Sequence, residues 1–67
     1  MSDWELRLRK LVEHWAEHND EHRARFEEAA SEASERGLAG VAEKLRLAAG
    51  RAAEVSELLR GALEAFG

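Results

Sequence analysis

Apolar side chains recur every three or four residues along almost the whole chain, and this spacing most constrains its fold. A period between three and four residues places apolar side chains on one face of an α-helix. The chain has no proline, and its only β-branched residues are Val12, Val41 and Val55, so little favours a sheet. We therefore predict an all-α protein in which residues 1–67 form one domain.

The first helix has a clear beginning and a clear end in the sequence. Residues 2–5, Ser-Asp-Trp-Glu, have the pattern of a capping box. Gly37 is suited to end the helix because glycine readily adopts the left-handed conformation of a C-cap. We predict a first helix over about residues 3–36, roughly 50 Å long. Its apolar stripe comprises Trp4, Leu8, Leu11, Val12, Trp15, His18, His22, Phe26, Ala29 and Ala33.

The second half of the chain carries a regular seven-residue apolar repeat, typical of a long helix over about residues 38–66. The short link at Gly37 makes the two helices antiparallel neighbours, so facing residues have numbers that add to about 74. A break at Asn19-Asp20 would instead give three helices and leave half of the last stripe unmatched. We predict a hairpin whose interhelix contacts are Leu8–Phe66, Leu11–Leu63, Trp15–Leu59, His18–Ser56 and His22–Ala52.

Two helices of this length bury little apolar surface on their own. A second strip of small residues runs beside the predicted contact stripe, and small residues let helices approach closely. We predict that a second copy packs on this strip and that the homodimer is a four-helix bundle. The strip consists of Ala16, Ala42, Ala49 and Ala53.

The three histidines, His14, His18 and His22, lie four residues apart and share one helix face. Two histidines at this spacing can bind one metal ion, but the outer two lie about 12 Å apart along the axis. A second chain would complete the ligand set. We predict a site for zinc, nickel, copper, cobalt or iron at these histidines, with Glu17 and Glu21 as ligands or orienting groups.

Nothing in the sequence demands an enzyme. The pattern H-x-x-E-H occurs twice between His14 and His22, but the zinc proteases that use it need a further ligand and a substrate cleft. The chain has no cysteine, and Ser56, predicted to face His18, is the one serine with a candidate base. Storage, sensing or delivery of the metal is the expected role. The alternatives are a metal-free structural or interaction module, or a haem-binding bundle.

The charge balance narrows the class of partners. The net charge of -4 disfavours nucleic acid and anionic membrane surfaces. No apolar run has the roughly 18 residues that a membrane span needs, and the N-terminus lacks the apolar stretch of a signal peptide. We expect a cytoplasmic protein.

The run from Leu11 to His22 contains the pattern H-W-x-x-H-N-x-x-H. This pattern resembles the signature of a family of small, uncharacterised helical-hairpin proteins of archaea and bacteria, and the stretch 37–63 is similar as well. The resemblance implies no particular activity. It implies that the positions of interest are His14, Trp15, His18, Asn19 and His22.

Overall fold

The computed structural model describes residues 1–67 and contains two antiparallel helices. Helix α1 spans Asp3–Glu35 and helix α2 spans Ala39–Ala65. The Cα atoms occupy a rod of 52 × 14 × 11 Å. The predicted hairpin is confirmed, with both helices within a residue of their predicted limits. Helix α1 is continuous through Asn19 and Asp20, so the three-helix alternative is wrong.

Helix α1 begins with the capping box that the sequence predicts. The backbone N–H of Glu5 donates to Ser2 Oγ (3.1 Å), and the Ser2 N–H donates to Glu5 Oε1 (3.3 Å). These two bonds satisfy backbone donors that the first turn of a helix leaves unpaired. The beginning of the rod is therefore fixed by local interactions.

The turn between the helices is a Schellman motif centred on Gly37. The Leu38 N–H donates to Ala33 O (2.8 Å), and the Gly37 N–H donates to Ser34 O (3.1 Å). Gly37 has a φ of 81°, which a residue with a Cβ adopts only at a cost. This short turn brings α2 back alongside α1 and fixes which residues face each other.

The pairing of residues along the rod agrees with the sequence prediction. Asn19 forms hydrogen bonds with Ser56 and with Ala52 across the helices. At the end of the rod that carries the chain termini, Leu8 and Phe66 line the same apolar depression. The numbers of facing residues therefore add to about 74, as expected for two helices joined by a turn at Gly37.

The rotation of the helices differs from the prediction. The buried residues are small, and the most completely covered are Ala42, Ala30 and Ala16. The small-residue strip that we predicted to hold a second copy lies instead between α1 and α2, so that prediction is wrong. We call this contact the seam. Its buried members are Val12, Ala16, Ala30, Ala33, Ala42, Ala49, Ala52 and Ser56.

The large apolar residues that we predicted between the helices lie beside the seam, exposed or half-buried. Trp4 is 64% exposed and Trp15 is 47% exposed. Successive residues of a helix are rotated by about 100° around its axis. This rotation places the large apolar residues of α1 on the same side of the hairpin as those of α2. We call this surface the apolar face. It comprises Trp4, Leu8, Leu11, Trp15, Phe26 and Ala29 of α1 with Val41, Ala48, Val55, Leu59, Ala62 and Phe66 of α2.

The opposite side of the hairpin is charged. Arg23 pairs with Glu27 on α1, and Arg60 of α2 pairs with Asp20 of α1. Neither helix combines the length and hydropathy that a crossing of the lipid bilayer requires. The hairpin therefore has one apolar and one polar side. The fully buried residues between its helices are small, and the larger residues Leu45 and Leu63 are half-buried at the same contact.

The substitution Ala42→Leu tests this seam. Ala42 is completely buried, so three additional carbons would force the helices apart and lower the free energy of unfolding by about 1–3 kcal/mol. Urea denaturation followed by circular dichroism measures the change. Ala24→Leu adds the same atoms at an exposed position of α1 and should leave the stability nearly unchanged. Equal stability of the two variants would contradict the seam.

Candidate functional site

The three histidines form a continuous row on α1. The ring centroids of His14 and His18 lie 5.8 Å apart with the rings nearly parallel, and those of His18 and His22 lie 4.6 Å apart, edge to face. The row continues into Phe26, whose ring centroid lies 6.1 Å from that of His22. Four-residue spacing on a continuous helix produces this arrangement.

The histidine row lies along the apolar face and not in the seam. His14 and His18 are exposed, and His22 is half-buried. The prediction that His18 points between the helices is wrong, because Asn19 occupies the seam at that level of α1. His22 lies at the edge of the seam, half-buried beside Phe26. The imidazoles are therefore accessible from outside the hairpin, next to Trp15 and Leu11.

The two candidate carboxylates differ in their neighbours. Glu21 Oε2 lies 3.8 Å from His18 Nδ1, within ion-pair distance but longer than a hydrogen bond. Asp20 raises the pKa of Arg60 through its hydrogen bond and its charge, and the charge of Glu17 adds a smaller effect in the same direction. The structure thus places the Glu21 carboxylate beside His18.

No group of three or more histidine, aspartate or glutamate side chains within the chain is arranged to hold a metal ion. A straight helix explains this result, because residues eight apart are separated by about 12 Å along the axis. A complete metal site would therefore need ligands from outside this one chain.

Asn19, directly after His18, connects the two helices. Its Nδ2 donates to Ala52 O (2.6 Å) and to Ser56 Oγ (2.8 Å). A polar side chain in a seam needs such partners, because desolvation without hydrogen bonds is costly. The Ser56 hydroxyl in turn donates to Asp20 Oδ1. Ser56 is therefore engaged with Asn19 and Asp20, and the structure does not pair it with His18 as a nucleophile with its base.

Asp20 completes this network at the edge of the charged side. Its carboxylate accepts hydrogen bonds from both terminal guanidinium nitrogens of Arg60 and from Ser56. The hydrogen bond from Arg60, followed by that from Ser56, lowers the pKa of Asp20 from 3.8 to about 2. These hydrogen bonds hold the Asp20 carboxylate toward Arg60 and the charged side of the hairpin.

The sequence contains a signal for this network, although our prediction did not include the network. Asn19 and Ser56 are polar residues at seam positions whose numbers add to about 74, and Asp20 and Arg60 are opposite charges just beside them. The pairing of Asn19 with Ser56 follows only if the seam passes through Asn19 and not through His18.

Comparison with known proteins places the chain in a family. Residues 8–66 match a domain of unknown function, DUF8180. The chain belongs to this family. An uncharacterized protein of Archaeoglobus fulgidus is 44% identical over 61 residues, which cover 91% of this chain and 97% of that relative. The predicted membership of a small uncharacterised family is confirmed. No solved structure matches the chain.

The substitution Asn19→Ala should destabilise the hairpin. It removes two hydrogen bonds and leaves the Ser56 hydroxyl without its donor, a loss of about 1–3 kcal/mol. Chemical denaturation measures the effect, with the exposed Ser34→Ala on the same helix as control. The double variant with Ser56→Ala should lose less than the sum of the two single variants, because the residues form one network. Additive losses would show that they act independently.

The lowered pKa of Asp20 predicts how stability changes in acid. The folded pKa of about 2 lies below the ordinary value of 3.8, so the unfolded chain binds this proton more readily. The stabilisation is present above pH 4 and is lost as the pH falls from about 4 to 2. Thermal melts between pH 4 and pH 2 should show that the melting temperature of Asp20→Asn falls less in acid than that of wild type.

The exposed carboxylate variant Glu28→Gln, on the same helix, serves as the control for the acid titration. It should retain the wild-type dependence of melting temperature on pH. Salt should weaken the Asp20 contribution, since the pair with Arg60 is partly exposed. Parallel acid profiles for wild type and Asp20→Asn would contradict the assignment.

Proposed function

We propose that the chain forms a homodimeric four-helix bundle that binds a divalent transition-metal ion through His14, His18 and His22. The observation that carries this proposal is the row of three imidazoles on an apolar face that nothing in the hairpin covers. The expected ion is zinc, nickel, copper, cobalt or iron, all of which imidazole ligands suit.

The histidines provide suitable donors. Neighbouring histidines four residues apart on one helix can supply two nitrogens to one ion, as in helical zinc sites. Glu21 lies beside His18 Nδ1 and can orient that imidazole. Glu17, one residue before His18, is the second proposed carboxylate. The remaining ligands would come from a second copy.

The sparse interior of the hairpin favours association. No large side chain is fully buried, and Val12 is the largest residue in the seam. A chain of this size rarely folds stably without a further source of burial. The Cα atoms span 52 × 14 Å, about 730 Å², which is close to the roughly 800 Å² that each partner buries in a standard interface.

A binding role suits the site better than turnover. The histidine row has the exposed apolar side chains of Leu11 and Trp15 nearby and the Glu21 carboxylate beside His18, and Ser56 is engaged elsewhere. Such surroundings exclude water from an ion once a partner covers them, but supply no nucleophile. Storage, sensing or delivery of the metal is the function we propose.

Calorimetric titration of the metal-free protein with Co(II), Ni(II), Cu(II) and Zn(II) tests this function. Wild type should bind at least one of these ions, with about one half ion per chain if two copies share a site. His18→Gln should weaken binding at least about tenfold, because it removes the central nitrogen donor. Glu13→Gln, an exposed substitution next to the row, should bind as wild type. Equal affinities of wild type and His18→Gln would refute the proposal.

A metal-free interaction module is the second candidate. It is favoured by the same apolar face, together with the lack of a metal-holding group within one chain. In this case the chain would dimerise without metal, and a chelator would leave the melting temperature unchanged. Sedimentation and thermal melts with and without chelator distinguish the two functions.

A further inference from the structure

The apolar face is wide at one end and narrow at the other. Near the chain termini it carries Trp4, Leu8 and Phe66, whereas toward the turn it carries the smaller side chains of Ala29, Val41 and Ala48. An apolar depression opens at the wide end, where nothing in the hairpin fills it; its walls are Leu8, Val12, Ala62, Ala65 and Phe66. A surface of this shape packs evenly against a second surface that tapers in the opposite direction.

The histidine row lies at the middle of the rod. Helix α1 spans Asp3–Glu35, so its midpoint is near residue 19, one residue from His18. His14 and His22 flank His18 at equal distances of about 6 Å along the axis. The row is therefore nearly symmetric about the centre of the rod, between the wide and narrow halves of the apolar face.

We propose that two copies pack their apolar faces in antiparallel orientation, α1 against α1, with a two-fold axis passing close to His18. This inference rests on the proposed function and specifies how the partner completes the site. The occupant of the apolar face is a second copy of this chain, turned end for end. The wide end of each copy then covers the narrow end of the other.

Residue volumes support this orientation. With the axis close to His18, facing residues of α1 have numbers that add to about 36, so Leu8 lies near Ala29 of the second copy. A large side chain thus meets a small one on α1, as close packing favours. The one large residue of the narrow half of α1, Phe26, is half-buried next to His22 and lies level with Leu11 of the other copy.

The same axis aligns the histidines. The two histidine rows run in opposite directions and share a midpoint at His18. His18 therefore lies opposite His18 of the second copy, and His14 lies level with its His22. A pair of histidines four residues apart on one copy then faces such a pair on the other. Two such pairs supply the four nitrogens of a tetrahedral ion such as zinc. The partner therefore contributes ligands that a single chain lacks.

The parallel orientation does not have these properties. It would pack α1 against α2 of the second copy with both wide ends together, so that Trp15 meets Leu59 and Leu8 meets Phe66. The bundle would be splayed at one end, and each histidine row would face the region of Val55. Imidazoles from the two copies would then not share an ion.

Distances between spin labels on the two copies test the orientation. The chain has no cysteine, so Ser34→Cys places one label per copy next to the turn. In the antiparallel dimer the two labels lie near opposite ends of the bundle, about 48 Å apart along the axis at 1.5 Å per residue. Arg7→Cys, near the other end, should give about 33 Å along the axis. Pulsed electron resonance with added Zn(II), which is diamagnetic, measures both distances.

Glu54→Cys, near mid-rod and exposed, is the matched control. It should give a short distance in either orientation and so reports the dimer itself. Circular dichroism of each labelled variant verifies that the helices are intact. Long distances from Ser34→Cys and Arg7→Cys, with a short one from Glu54→Cys, support the antiparallel site.

The other outcomes separate this inference from the proposed function. Short distances for both end labels, with metal binding retained, would overturn the antiparallel orientation and leave the metal-binding function in place. A monomer that still binds metal would overturn the shared site. A dimer with the predicted distances but no affinity for any of the four ions would support the orientation and overturn the metal-binding function.

Discussion

The close approach of two helices along a line of small side chains is the constraint on which the rest of the structure depends. Ala16, Ala30 and Ala42 present little more than a Cβ to the other helix. A seam this narrow has no room for Trp15 or Leu11, which therefore lie beside it. The apolar face, and the exposure of the histidines on it, follow directly from this packing.

The alanines of the seam allow each helix several rotations about its own axis, and the hydrogen bonds of Asn19 select one of them. Alanines accommodate a range of rotations, whereas the bonds from Asn19 to Ala52 and Ser56 require one particular side of α1 in the seam. Since consecutive residues of a helix differ by about 100°, three neighbours then face three directions. His18 lies on the apolar face, Asn19 in the seam, and Asp20 toward the charged side.

The register of the hairpin was predictable because it depends on local signals. The capping box at Ser2 and the glycine at position 37 define the ends of α1, and a short turn permits only one alignment of α2. The rotation was not predictable, because the alanine strip and the stripe of large residues both have a helical period and lie side by side. Of the candidate site, the spacing of the histidines was predictable, but their location outside the seam was not.

The sequence by itself determined two long helices, their antiparallel pairing, and a row of three imidazoles on one helix face, because helical periodicity and capping act over a few residues. Only the tertiary structure decided which stripe lies between the helices. That choice depends on how close the backbones can approach, and on whether Asn19 and Ser56 find partners across the seam. Both conditions depend on groups from different helices, such as Asn19 and Ser56, which are 37 residues apart. Patterns within one helix do not reveal how such groups fit together.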